Sequence, residues 1–473
     1  AGAGAPPRPS CAFAYARGTT LLGELLQVQS QVVVSDGAEY VEERPLGLDP
    51  RLISPLIPFC LPQKGHLGEG VAQGTHLTVM IIKSFTGSAV LYLPHLIASG
   101  GVVLAGCVLL TVGLVSIFCM RQLADCAEFV MKRRAPPRQL RVPSYSDLGE
   151  VAFGKLGRTF VDLALVSSHL GFCATYLIFI AANMREVIEV FSACQSLLDQ
   201  ITILPVLLIA LVPMAWLRSL QYFALMNLVA SVLITLGLAL ILSMAIWHMW
   251  TDPLQEPLVW LNFGNVATTL GTAAYAFEGI GLVLPMYGNT APSLRPQFKR
   301  QLTVTLIALL IAFVVFAVLC YLSFGTNTQT MVLLHLPLGS VMKSVAQLFY
   351  SIALALSYPL VLYPVSTLLE PRLLRTTQNN GGQCATVQQN VLRAALVGVT
   401  GLIALPGPGR MSDLVALIGA LSCLPLAVTF PALLRRRLYR DRRLVDLLLA
   451  AGGAILTLLC VAAAAASAGG PAE

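Results

Sequence analysis

Residues 271–285 read GTAAYAFEGIGLVLP, and this stretch decides how the chain is read. It is apolar enough to lie in a bilayer, yet it carries one carboxylate, Glu278, near its middle. Gly279 and Gly281 follow at once. Glycine costs roughly 1 kcal/mol against alanine inside a helix. A carboxylate at the bilayer centre costs at least about 2.5 kcal/mol on insertion scales. A segment meant only to span would avoid both. The stretch predicts a helix that opens to expose backbone groups to a solute, with Glu278 serving that site. The structural alternative is a glutamate paired to a neighbouring helix, beside glycines that let helices approach.

The rest of the chain agrees with a membrane setting. Of 473 residues, 56% are hydrophobic and 11% charged, where a soluble domain is about a quarter charged. The reading is an all-α polytopic membrane protein. The net charge of +7 lies in the loops, so it marks topology rather than a nucleic-acid partner. The 11 cysteines form no C-x-x-C pair and no Cys/His cluster at metal spacing, so no metal or cofactor is expected. Cys194 falls in an outer loop without an obvious partner.

Residues 1–74 are rich in Gly, Pro, Ser and charge, and read as a disordered cytosolic tail with a short ordered piece around 52–61. Apolar runs follow at about 75–98, 101–124, 157–183, 200–217, 220–249, 264–288, 301–324, 341–369, 388–406, 412–434 and 444–466. Each is near or above the roughly 20 residues that a spanning helix needs. The expectation is eleven transmembrane helices in a transporter-sized domain, 75–468. Loop charge puts Arg121, Lys132, Arg134, Arg138, Arg141, Arg218, Arg295, Lys299, Arg300, Arg375 and Arg435 on one side and only Arg185, Lys343 and Arg410 on the other. The N-terminus is therefore expected in the cytosol. Residues 143–157, PSYSDLGEVAFGKLG, read as a capped interfacial helix, with Ser144 and Asp147 forming the cap.

Helix one repeats the theme of helix six. Residues 81–94, IIKSFTGSAVLYLP, hold Lys83, Thr86, Gly87, Ser88 and Ala89 inside an apolar span, then Pro94. Broken helices in first and sixth place fit two inverted repeats of five helices, about 75–249 and 264–434, with an eleventh helix appended. An opened helix leaves N–H groups bare at one half-helix and C=O groups at the other. The first attracts a carboxylate, and the second, with an acid nearby, suits an ammonium or a proton-dependent step. An α-amino acid presents both charges a few ångströms apart.

At these residues the chain resembles the amino acid/auxin permeases, in their proton-coupled and vacuolar amino acid transporter branch, within the leucine-transporter-type fold. The likeness rests on 81–101 in helix one, 170–189 (LGFCATYLIFIAANMREVIE) in helix three, 271–286 in helix six and 357–370 (SYPLVLYPVSTLLE) in helix eight. The resemblance implies transport of small or neutral amino acids, often with protons. It implies a substrate held by Thr86, Gly87, Ser88 and Ala89, with Ala276, Phe277, Glu278, Gly279 and Gly281 opposite and Tyr176 closing the site. Two positions depart from the family: Ala89 stands where glycine is usual, and His169 where glutamine is frequent.

Three further residues enter on their own chemistry. Lys83 lies about one turn before the break, where sodium-coupled relatives tend to place asparagine; the resemblance implies that its ammonium takes the electrostatic place of a sodium ion, and the alternative is a packed lysine stem whose head reaches the inner interface. His169 lies well inside a span and suits a proton relay, or a hydrogen-bonded packing role. Tyr358 precedes Pro359 on a kinked helix eight and is a weaker substrate contact.

The expectation is a secondary transporter working by alternating access, proton-coupled and sodium-independent. Glu278, Lys83 and His169 are its coupling or gating groups, and protons are its coupling ion. It is not an enzyme. Its partners are an amino acid and the lipid bilayer, and a monomer is expected. It sits in a vacuolar, lysosomal or plasma membrane. The rival is an amino acid sensor of the same fold, signalling through residues 1–74 with little flux.

Overall fold

The computed structural model describes residues 29–35, 38–44, 70–133, 142–192, 200–217, 220–251, 258–290, 294–326, 328–335, 341–374, 383–439 and 443–468. Cys194, the stretch 52–61 and the loop cations Arg134, Arg138, Arg141, Arg218 and Arg375 lie outside them. The chain forms two units, Ala1–Ile57 and Pro58–Glu473.

In the first unit, Gln29–Ser35 pairs antiparallel with Ala38–Arg44. These residues fall in the tail read as disordered, and 29–35 and 38–44 are paired strands instead. Val32, Val33, Val34, Tyr40 and Val41 supply β-branched and aromatic side chains. A lone two-stranded hairpin is marginal in water.

The second unit is a helical bundle. Helix one is broken into Gly70–Phe85, a 3-10 turn Ser88–Tyr92 and Leu93–Gly100. Its halves bend by 47°. Helix two is Val102–Arg133, helix three Tyr145–Ser192, helix four Gln200–Ala215 and helix five Leu220–Thr251. Helix six is broken into Val266–Ala276 and Ile280–Asn289. Helices seven, eight and nine are Arg295–Phe324, Val341–Leu373 and Gln383–Ala404. Helix ten runs from Met411 to Tyr439, and helix eleven is Leu444–Ala468.

Eleven apolar elements thus follow in the expected order. Among the described residues, nine helices are long and apolar enough to cross a membrane, or ten with the bent pair of helix one. Helix four, apolar over Thr202–Ala215, is shorter, and Pro205 and Pro213 lie within it. The ends differ from the apolar runs because charged turns continue the helices beyond the bilayer. Helix two extends to Arg133 instead of stopping near 124, and helix three starts at Tyr145.

The cap expected at 143–157 is present: the Ser144 N–H donates to Asp147 (3.1 Å), and the Asp147 N–H donates to Ser144 Oγ (3.1 Å). Gly154, at φ 69°, then kinks this amphipathic piece away from the spanning part of helix three. Helices six and ten are the most enclosed, with 67% and 72% of their apolar windows buried in protein against 17% for helix eleven. Helices three and eight, equivalent in a five-helix repeat, pack against each other. Helix ten passes into π-helix at Gly419–Cys423 and Pro425–Thr429. There Gly419 meets helix six so closely that an added Cβ would lie 1.8 Å from the Gly271 carbonyl oxygen.

Candidate functional site between the two breaks

Both helices open where the sequence expects. In helix one, the Thr86 N–H still reaches the Ile82 carbonyl at 2.9 Å, and Gly87 then adopts an extended conformation (φ −141°, ψ −149°) that ends the helix. In helix six, Phe277 caps the first half, and Gly279, with φ −178°, precedes the second. The Phe277 N–H bonds back to the Ala273 carbonyl (3.2 Å), whereas the Leu282 N–H bonds to the Gly279 carbonyl (3.0 Å). The helical ladder is interrupted between them. Pro285 extends the disturbance: it has no N–H, so the Gly281 carbonyl loses its helical donor.

The two breaks touch. The Phe85 ring packs against the Phe277 ring at 5.6 Å and covers Gly279, where an added Cβ would lie 2.4 Å from it. Above Gly87 stands the Tyr176 hydroxyl, 3.4 Å from where a Cβ would be. Ser88 is buried, and its hydroxyl lies within electrostatic reach of Tyr176 and Tyr275. Ala89 is half-buried and packs on the core. Ala276 and Phe277 are fully buried at the end of the first half of helix six.

Glu278 sits beside the first turn of Ile280–Asn289. The Gly281 N–H lies within electrostatic reach of its carboxylate, while Oε2 is buried with no hydrogen-bond partner among the described residues. Tyr145 and Cys423 lie within its electrostatic reach. Thr86 Oγ1 is the matching orphan on helix one. His169 approaches the same turn from helix three, its Cε1 3.9 Å from a Cβ added at Gly281. Its Nδ1 lies 2.8 Å from the Leu165 carbonyl oxygen, which only accepts. The proton on that side is therefore on Nδ1, and Nε2 carries the lone pair of the neutral ring. Lys83 occupies the last turn of Gly70–Phe85, where a cation complements the carbonyl end of a half-helix.

Tyr358 is not brought to the breaks by its hydroxyl, which pairs with Thr400 Oγ1 on helix nine at 2.7 Å. Sequence reading missed the aromatic wall that is there. Tyr275 bonds Thr175 Oγ1 at 2.7 Å and packs edge-on to Phe172 (4.9 Å) and Tyr92 (5.8 Å). The signal existed: His169, Phe172 and Tyr176 follow i, i+3, i+7 spacing on one face of helix three.

The ends of the bundle are tied by ion pairs. At the basic end, buried Asp162 accepts from Ser146 Oγ and Arg372, and Arg393 pairs with Glu370 at 2.7 Å. At the opposite end, buried Lys343 lies 3.0 Å from Glu186, and Arg185 lies 2.9 Å from Glu189. Asp162 and Arg185 are thus engaged in ion pairs at the two ends of the bundle.

Vacuolar amino acid transporter 4 of Saccharomyces cerevisiae is 28% identical over 393 residues, covering 78% of this chain and 53% of the relative. The chain spans about half the length of the first curated relatives it matches. Amino acid transporter AVT3A of Arabidopsis thaliana is 29% identical over 380 residues, covering 77% of this chain and 83% of the relative. In fold, the chain is similar to a crystal structure of a manganese transporter from Eremococcus coleocola, with a TM-score of 0.51 at 10% identity, covering 87% of this chain and 92% of the other. The profile of the transmembrane amino acid transporter protein family matches residues 72–466. This multi-pass membrane protein, broken in its first and sixth helices, belongs to that family.

Proposed function

We propose that the protein is a secondary active transporter of small or neutral amino acids, coupled to protons and independent of sodium, working by alternating access. Substrate lies between the breaks. Its carboxylate faces the N–H groups opening the Ser88–Tyr92 turn, and its ammonium faces the carbonyl end of Val266–Ala276. Thr86, Gly87, Ser88 and Ala89 form one wall, and Ala276, Phe277, Gly279 and Gly281 the other. Tyr176 closes over Gly87.

The observation that carries this reading is how charge is shared among the four half-helix ends. Lys83 stands at the carbonyl end of Gly70–Phe85, and Glu278 at the N–H end of Ile280–Asn289. The other two ends are left for a zwitterion. Glu278 titrates during the cycle, with His169 as its relay across Gly281. Tyr358 positions helix eight through Thr400. Protons are the coupling ion, and no cofactor is needed. The loop charges support a cytosolic N-terminus, and the names of the relatives support a vacuolar or lysosomal membrane.

The test is uptake by the purified protein in proteoliposomes, using a panel of labelled amino acids with and without a pH gradient and with and without sodium. Accumulation of small neutral amino acids under the pH gradient alone is the expected result. Uptake that needs sodium and ignores the pH gradient overturns the coupling.

A further inference from the structure

At the basic end of the bundle, helices two and seven enclose a second concavity of about 960 Å³. Helix two lines it with Arg121, Glu128 and Lys132, and helix seven with Arg295, Lys299 and Arg300. Lys299 has acidic partners, Asp125 at 2.6 Å and Glu128 at 3.0 Å. Arg121, Lys132, Arg295 and Arg300 form no ion pair among the described residues. The Arg295 guanidinium lies 5.4 Å over the Tyr287 ring, and its Nε is buried without an acceptor among the described residues. Like charges around one hollow repel each other. The N-terminus of the 30-residue helix seven adds its own positive end there. Four uncompensated cations and a buried guanidinium nitrogen describe a receptor for a polyanion, and guanidinium forks match phosphate oxygens.

Arg300 and Val304 also line a neighbouring groove of about 820 Å³ between helices one and seven, whose walls include Ile82, Ala308, Leu309 and Ala312. Ile82 and Val304 are exposed on the outside of the bundle. A soluble anion would use the basic hollow alone. A molecule with a charged head and a hydrocarbon tail fills both. We propose that this paired hollow and groove binds an anionic phospholipid whose headgroup carries phosphate monoester groups, its head among Arg121, Arg295 and Arg300 and one acyl chain along helix seven. Basic pockets between helices at the cytosolic face suit such headgroups.

The test uses the full chain, purified in detergent, titrated with phosphatidylcholine, phosphatidylserine and a bisphosphorylated phosphatidylinositol, and read by native mass spectrometry. The free inositol trisphosphate headgroup is a separate arm. The bisphosphorylated lipid is expected to bind at least about tenfold tighter than phosphatidylserine, given about 1 kcal/mol per basic residue. Arg121→Gln/Arg295→Gln/Arg300→Gln should weaken it roughly 100-fold, and Arg300→Gln alone, at an exposed position, about fivefold. Ala308→Trp should weaken the lipid and leave the free headgroup unchanged. Three results overturn the proposal: equal losses from Lys155→Gln/Arg436→Gln/Arg437→Gln, free headgroup binding as tightly as the lipid, or lipid binding untouched by the triple variant.

Discussion

Glu278 is held in a conflict that only part of its surroundings relieves. Its carboxylate lies near the Gly281 N–H, yet Oε2 is buried with no partner among the described residues. A buried acceptor left unpaired costs about 1–3 kcal/mol, more for a charged group. Protonation removes that cost, which makes the residue fit for a cycle that loads and unloads a proton. Glu278→Gln keeps the shape and removes the titration. The variant should fold and bind substrate, and its uptake between pH 5 and pH 8 should be flat where the parent's varies; a parental pH profile in the variant would remove Glu278 from coupling. Gly279 is the second residue-scale test. Its absent side chain is what admits Phe85, so Gly279→Ala should cost about 1–3 kcal/mol by overpacking and lower uptake. Adding Phe85→Leu should restore part of the thermal stability, because the clash is with that ring.

At the scale of elements, the working parts are half-helices braced by rigid neighbours. The first half of helix six lies against helix ten with backbone on backbone. The packing needs Gly271 and Gly419: a Cβ at Gly271 would lie 2.3 Å from the Ala416 carbonyl oxygen. Gly419→Ala should therefore lower the thermal midpoint in detergent more than Gly398→Ala, where an added Cβ meets nothing within 4 Å. The π-helical stretch of helix ten contributes the Leu426 carbonyl, which accepts from the Tyr145 hydroxyl at 2.7 Å. Tyr145 begins helix three, so this bond links helix ten to the basic end. Asp162, fixed by Ser146 and Arg372, closes the same end.

At the scale of the whole molecule, Pro58–Glu473 is a compact unit in its own right. A transporter of the proposed kind keeps its flux when residues 1–57 are deleted, as measured by uptake in proteoliposomes. A sensor that signals through the tail loses its output while its binding survives. Either result separates the two readings without touching the helix breaks.

The sequence by itself determined the membrane class, the order of the apolar elements and the two breaks. Each depends on local chemistry: a run of apolar residues, a carboxylate inside it, and glycines that cannot hold a helix. It also placed the Ser144–Asp147 cap, which is a matter of three residues' spacing. It did not reveal that Tyr358 is taken by Thr400, or that Tyr275, Phe172 and Tyr92 wall the site. Those facts depend on which faces of distant helices meet. Tertiary structure alone decided that Phe85 covers Gly279 and that His169 and Glu278 converge on Gly281, since 109 residues of chain separate the last pair and only packing brings them together.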